Sequence, residues 1–191
     1  MAKILAIANC TGGSGKTLSA AFIGKHLAAE GKKTLLIDLD WQSTLTKLLG
    51  SEIEGYENLH LLTAGDKIKE FEMLPTALSR NLQNLLKPLR NQYDYIVLDC
   101  PPVSQILTDA VLTVSDELII PTRMSATAVF DRKRFLKQVE VIKQYDNPEL
   151  KVLGFVALSA EDTDVSDFRE KYPLLARINF DDAGVPSIAG V

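Results

Sequence analysis

Residues 3–30, KILAIANCTGGSGKTLSAAFIGKHLAAE, join a short apolar run to a helical one through a turn rich in glycine. No other feature restricts the fold as much. A buried strand (KILAIAN, 3–9) turns abruptly into a helix (Lys16–Glu30) that carries Ala20, Ile23, Leu27 and Ala28 on one side. That is the first half of a strand–helix–strand crossover. Gly12, Gly13 and Gly15 let the backbone turn tightly and aim its N–H groups at an anion, and the start of the following helix adds its positive dipole end. Gly15-Lys16-Thr17 completes the second half of a phosphate loop of the form G-x-x-x-x-G-K-[ST]. Cys10 stands where the first glycine would fall, and Thr11 precedes the glycine pair. Lys16 is expected to reach terminal phosphates and the Thr17 hydroxyl to hold Mg²⁺.

The same alternation continues along the chain. KTLLIDL (33–39), NLHLLTA (58–64, ended by Gly65), YDYIVLDC (93–100), ELIIPT (117–122) and VLGFVALS (152–159) read as strands. Helices are expected from Pro75 to Arg90, from Ser104 to Val114 and from Ala126 to Gln144. Leu78, Leu82, Leu85, Leu86 and Leu89 form a stripe that should face the core. The expected architecture is α/β, a doubly wound and mostly parallel sheet with helices on both faces. The whole of 1–191 reads as a single domain, weakly patterned past Glu161 and frayed from about residue 180.

A magnesium nucleotide needs carboxylates at neighbouring strand ends, and LLIDLD supplies Asp38 and Asp40 while YIVLDCPP supplies Asp99. An acid at the end of a buried aliphatic run is costly to desolvate and calls for a cation or donors. Asp99 suits the water-mediated Mg²⁺ contact, and Asp38 and Asp40 would lie near the phosphates, one to fix the metal shell and the other to orient a water.

Taken in order, TGGSGKT, KKTLLIDLDWQSTLT and YDYIVLDCPP resemble the ParA/MinD family of deviant Walker ATPases over roughly residues 3–125. The family's loop is K-G-G-x-G-K-[ST], its second motif D-x-D-P-Q and its third an aliphatic strand ending D-x-P-P. The resemblance implies ATP as the nucleotide, slow partner-stimulated hydrolysis and an ATP-sandwich homodimer. It assigns Thr11, Gly12, Gly13, Ser14, Gly15, Lys16, Thr17, Leu18 and Gln42 to the nucleotide and Thr17, Asp99 and Asp38 to the metal. Asp40, Asp38 and Lys16 would carry the hydrolysis. Thr11 replaces the lysine by which relatives contact the partner's phosphates, and Trp41 replaces the proline of D-x-D-P-Q. A loop without that lysine is similar to the carboxysome-positioning (McdA-type) branch, which works with an McdB-type adaptor. There a lysine distant from the loop takes over, and Lys151 and Arg123 are the candidates here, with Lys151 ranked slightly ahead.

Charge bears on the partner. The net charge of −4 argues against DNA binding by overall basicity. Residues 123–151 nevertheless hold seven Lys/Arg against four acids, so this segment is +3 and the remainder −7. DRKRFLK (131–137) places Arg132, Lys133, Arg134 and Lys137 on adjacent helical turns. Such a run is ordinarily a solvated face, but a dimer doubles it into a surface for non-specific DNA. The expected setting is therefore cytoplasmic and nucleoid-associated. No membrane role is expected, because FDDAGVPSIAGV lacks the basic amphipathic helix that MinD-type cycling needs. A plasmid-partition ParA ATPase and a dethiobiotin synthetase-like P-loop ligase are the alternatives. Cys10 and Cys100 form no metal or disulfide pattern and read as small buried fillers, and His26 and His60 as structural.

Overall fold

The computed structural model describes residues 1–63, 77–101, 105–123, 126–158, 172–180 and 186–190. The strands are β1 (Lys3–Ile7), β2 (Thr34–Asp38), β3 (Leu59–Thr63), β4 (Tyr95–Asp99), β5 (Glu117–Arg123), β6 (Lys151–Leu158), β7 (Leu174–Phe180) and β8 (Pro186–Gly190). Between them run α1 (Lys16–Ala29), α2 (Thr44–Leu49), a 3₁₀ turn (Gly50–Gly55), α3 (Leu78–Leu89), α4 (Gln105–Val114) and α5 (Ala126–Tyr145). All eight strands join one sheet in the order β3-β2-β4-β1-β5-β6-β7-β8, parallel except for the β7–β8 pair. This is the doubly wound architecture that the alternating pattern predicts.

Strand periodicity sorts the core into two layers. Ile4, Ala6, Leu35, Ile37, Ile96, Leu98, Leu118 and Ile120 point to the face covered by α3, α4 and α5. Leu5, Ile7, Leu36, Val97 and Ile119 point to the face covered by α1 and α2. Leu78, Leu82 and Leu86 of the leucine stripe are fully buried, and Leu85 and Leu89 pack against the same cluster. The expected start of that helix at Pro75, and the stop at Gly65, lie outside the described residues. Gly24 brings α1 close to β2, since a Cβ there would lie 2.7 Å from Leu36 Cδ2.

Two expectations are corrected. The chain past Glu161 is not merely weak in pattern: Leu174–Phe180 extends the sheet beside β6. The segment expected to fray supplies β8, which pairs antiparallel with β7 from Phe180↔Pro186 to Ala176↔Gly190. Both strands lie at the sheet's outer end, where half-exposed positions blur the apolar alternation that marks inner strands. The short helix α2, unmarked by periodicity, follows directly on the Asp38–Asp40 turn.

Candidate nucleotide site

The carboxyl ends of β1, β2, β4 and β5 form one rim, and the loop from Ala8 to Gly15 leaves β1 there to enter α1. Gly15 is the residue before α1 and adopts φ +92, a left-handed conformation that favours glycine. No side chain caps this helix start. The first amides of α1, at Lys16, Thr17 and Leu18, are therefore open to an anion. Gly12 and Gly13 are exposed, Ser14 is buried, and Thr11, Gly15, Thr17 and Leu18 are half-buried.

Lys16 is buried and folds back on its own loop. Its Nζ donates to the Thr11 carbonyl at 2.8 Å and to Ser14 Oγ at 3.3 Å. Burial lowers its pKa, while the Cys100 and Asp99 side chains act in the opposite sense. Such a cation has every electrostatic reason to exchange those neutral acceptors for phosphate oxygens.

Asp38 and Asp99 are register partners on adjacent strands. Period two puts both on the face of α1, because each follows a residue (Ile37, Leu98) directed to the other face. Asp38 is fully engaged. Its Oδ2 accepts from Thr46 N (2.9 Å) and Thr46 Oγ1 (2.8 Å), and its Oδ1 accepts from Asp40 N (3.1 Å). Asp99 is equally buried, yet neither of its oxygens makes a well-formed hydrogen bond. Burial pushes its carboxyl up to about 7, with the Asp38 and Asp40 carboxylates adding to the rise. The nearby Thr17 hydroxyl and Lys16 only partly oppose that. An orphaned buried carboxylate beside a threonine hydroxyl and an uncapped helix start suits a hydrated Mg²⁺ and its phosphates. Among the described residues no three His, Cys, Asp or Glu side chains converge on a metal-sized point.

Asp40 is the pivot of the next turn. Its Oδ1 accepts from Gln42 N (2.9 Å) and its Oδ2 from Thr44 Oγ1 (3.1 Å). Gln42 is exposed, as is Trp41 at 57%. Ser43, at φ +52, is the sole non-glycine residue with positive φ among the described residues. Strain of this kind gathers at segments that change conformation.

The two substitutes for the loop lysine fall at opposite ends of the sheet. Lys151 opens β6 in register with Glu117, whereas Arg123 closes β5 in register with Leu158, about 20 Å along the strand. Arg123 leans over the loop, its Nε donating to the Gly13 carbonyl at 2.6 Å. Of the two, Arg123 is the one that adjoins the phosphate loop.

Of the four cations expected to face DNA, Lys133, Arg134 and Lys137 are exposed on α5. Arg132 is not. It is 6% exposed and its Nη1 donates to the Arg123 carbonyl at 3.4 Å. Counting charges along the sequence hid this, because Arg132 and the fully buried Phe135 share the core side of the helix. Cys100 is buried as expected, but Cys10 is only half-buried, with its thiol donating to the Asp131 carbonyl at 3.3 Å. His60 Nδ1 lies 2.8 Å from Tyr93 Oη, a structural contact.

Three residues of the site escaped sequence reasoning. Thr46 anchors Asp38, Asn9 ties the loop to the Pro121 carbonyl (2.6 Å), and Asp131 accepts from Thr11 Oγ1 (3.1 Å). A threonine six residues past a D-x-D turn is a readable signal, but nothing in the sequence pairs Thr11 with Asp131.

The geometry has counterparts. In two overlapping stretches, residues 2–73 and 51–152, the chain matches the family described as an AAA domain (AAA_31). It is 33% identical over 181 residues to the sporulation initiation inhibitor protein Soj of Bacillus subtilis, spanning 81% of this chain and 71% of Soj. It is 29% identical over 174 residues to maintenance of carboxysome distribution protein A of Synechococcus elongatus, spanning 78% and 69% of the two chains. Among solved structures, cobyrinic acid a,c-diamide synthase from Mycobacterium smegmatis, with bound ADP and magnesium, is similar at a TM-score of 0.78 and 27% identity. That likeness covers 92% of this chain and 84% of the synthase. A match running from residue 2 to residue 152, together with a relative one-third identical across most of both chains, makes this protein a member of the ParA/MinD family of ATPases, which work with ATP and Mg²⁺.

Proposed function

We propose that this ParA-type ATPase closes as a homodimer over two ATP molecules, holds DNA without sequence preference, and positions a cargo over the nucleoid by slow, partner-stimulated hydrolysis. The cargo we favour is the carboxysome, with an McdB-type adaptor, by likeness to the Synechococcus protein. The observation that carries the reading is the exposed trio Lys133, Arg134 and Lys137, on the helix whose Asp131 is hydrogen-bonded to the nucleotide loop. Two copies of a three-cation face give useful avidity, where one copy gives little. The protein would then work in the cytoplasm on the nucleoid. No helix among the described residues is long and apolar enough to cross a membrane.

Bound Mg²⁺–ATP supplies the γ-phosphoryl group and the metal charge that screens it. The protein supplies position. The Gly12–Leu18 amides and Lys16 hold the phosphates, Thr17 and Asp99 hold the hydrated metal, and Asp40 orients the attacking water. Asp38 links β2, the strand beside that of Asp99, to α2 through Thr46. Closure of a dimer without a lysine at position 11 needs another cation, and Arg123 is the one already over the loop. Lys151 would have to act entirely across the subunit boundary.

The test is binding of a random-sequence duplex with Mg²⁺–ATP and with Mg²⁺–ADP, at two salt concentrations. Salt-sensitive binding with ATP alone is expected. Equal failure with both nucleotides, in protein shown to bind ATP, would overturn the reading. It would favour instead a P-loop ligase acting on a small acceptor, a reading to which the likeness to the diamide synthase lends weight.

A further inference from the structure

Position 11 is tied to a helix far away in sequence. Thr11 Oγ1 donates to Asp131 Oδ2 at 3.1 Å, and the neighbouring Cys10 thiol donates to the Asp131 carbonyl at 3.3 Å. The Thr11 carbonyl meanwhile accepts from Lys16 Nζ at 2.8 Å. One short peptide stretch is thus held at one end by the phosphate-binding lysine and at the other by α5. A second route runs parallel to it: Gly13 to Arg123, and the Arg123 carbonyl to Arg132 of α5. The residues that follow Asp131 on α5 include the exposed Lys133, Arg134 and Lys137.

When phosphates enter the loop, Lys16 has stronger acceptors than a carbonyl. Releasing the Thr11 carbonyl frees the peptide that Asp131 grips, so the grip is under different load in the two states. A hydrogen bond to a carboxylate is worth roughly ten- to a hundredfold in an equilibrium, enough to bias a helix between two placements.

We propose that Asp131 is a positioning residue that couples phosphate occupancy of the Gly12–Thr17 loop to the placement of α5, through its bond to Thr11. The loop position that carries a lysine in relatives serves here as the intramolecular link between nucleotide and helix. The functional consequence of that coupling, nucleotide-gated DNA binding, rests on the function proposed above, while the coupling itself does not.

The test is amide hydrogen exchange of the full chain, with and without Mg²⁺–ATP, in wild type, Asp131→Ala and Asp131→Asn. In wild type, Mg²⁺–ATP should change exchange across residues 130–137 by about threefold or more, alongside protection of the loop. Asp131→Ala should lose most of the response in α5 when compared at saturating Mg²⁺–ATP, and by reciprocity its ATP affinity should shift by no more than the coupling that is lost. Asp131→Asn keeps an acceptor for the Thr11 hydroxyl and should restore the α5 response. If Asp131→Ala fails to fold, Thr11→Val breaks the same bond from the other side and should uncouple α5 equally. A wild-type response in the Ala or Val protein would overturn the proposal, and so would a wild-type α5 that ignores Mg²⁺–ATP. DNA binding is read in parallel. A wild-type chain whose α5 responds to ATP but which binds no DNA defeats the nucleoid reading and leaves the coupling standing.

Discussion

Asp38 and Asp99 face each other on adjacent strands, both fully buried, yet Asp38 accepts three hydrogen bonds and Asp99 none. The pair divides the work of the rim. Asp38 fastens the turn and α2 to the sheet, whereas the buried Asp99 carboxyl is left without a well-formed hydrogen bond.

That asymmetry makes the nucleotide-free protein pH-sensitive in a defined direction. The Asp99 carboxyl titrates at about 7 in the fold and near 3.8 when unperturbed. A raised carboxyl favours the protonated form, so its cost is absent below the unfolded pKa, grows as pH rises from about 4 to 7 and is complete above that. Asp99→Asn should therefore stabilise the nucleotide-free chain at pH 8, by up to roughly 4 kcal/mol, and make little difference at pH 4. The same variant should lose Mg²⁺-dependent ATP binding. Thermal melts at the two pH values, with and without Mg²⁺–ATP, check both halves, and a destabilised variant at pH 8 would contradict the assignment.

Asp40→Ala should leave ATP binding in place and slow hydrolysis by about 10²-fold or more, since positioned acid–base groups are worth that much. It also removes the acceptor for Gln42 N and Thr44 Oγ1, loosening the turn before α2. Single-turnover hydrolysis beside equilibrium nucleotide binding separates the two effects. Hydrolysis at the wild-type rate would remove Asp40 from the chemistry.

The basic helix yields a contrast between neighbours. Arg132→Ala should cost about 1–3 kcal/mol of stability by urea unfolding, because it deletes a buried, hydrogen-bonded guanidinium. Lys133→Ala, Arg134→Ala and Lys137→Ala together should leave stability within about 0.5 kcal/mol. They should also flatten the salt dependence of DNA binding by about 0.9 for each phosphate that is no longer neutralised. An unchanged salt slope would move the DNA surface elsewhere.

Gly24→Ala gains about 1 kcal/mol of helix propensity but pushes a methyl group to 2.7 Å from Leu36 Cδ2. Overpacking at about 1–3 kcal/mol should win, lowering the urea midpoint with an unchanged slope. An increase in the midpoint would mean that α1 can lift away from β2 at little cost.

The chain's own order of residues determined a good deal by itself. The run of buried strands, the leucine stripe of α3, the loop glycines with Lys16 and Thr17, and the acids at the ends of β2 and β4 are local patterns. Each is set by periodicity or by the backbone freedom that glycine supplies, and so each is legible in a window of a few residues. Tertiary structure alone decided the rest. Whether Asp38 or Asp99 is left unsatisfied depends on Thr46 reaching back across a turn. Whether Arg132 meets solvent or the sheet depends on how α5 is rolled. Thr11 meets Asp131 only because β5 lies next to β1 and hands its following helix back over the loop. The sheet's last two strands also needed a partner before their weak alternation became a ladder. Periodicity names the face of an element, but contacts between residues a hundred positions apart arise from strand order, and no local pattern carries that.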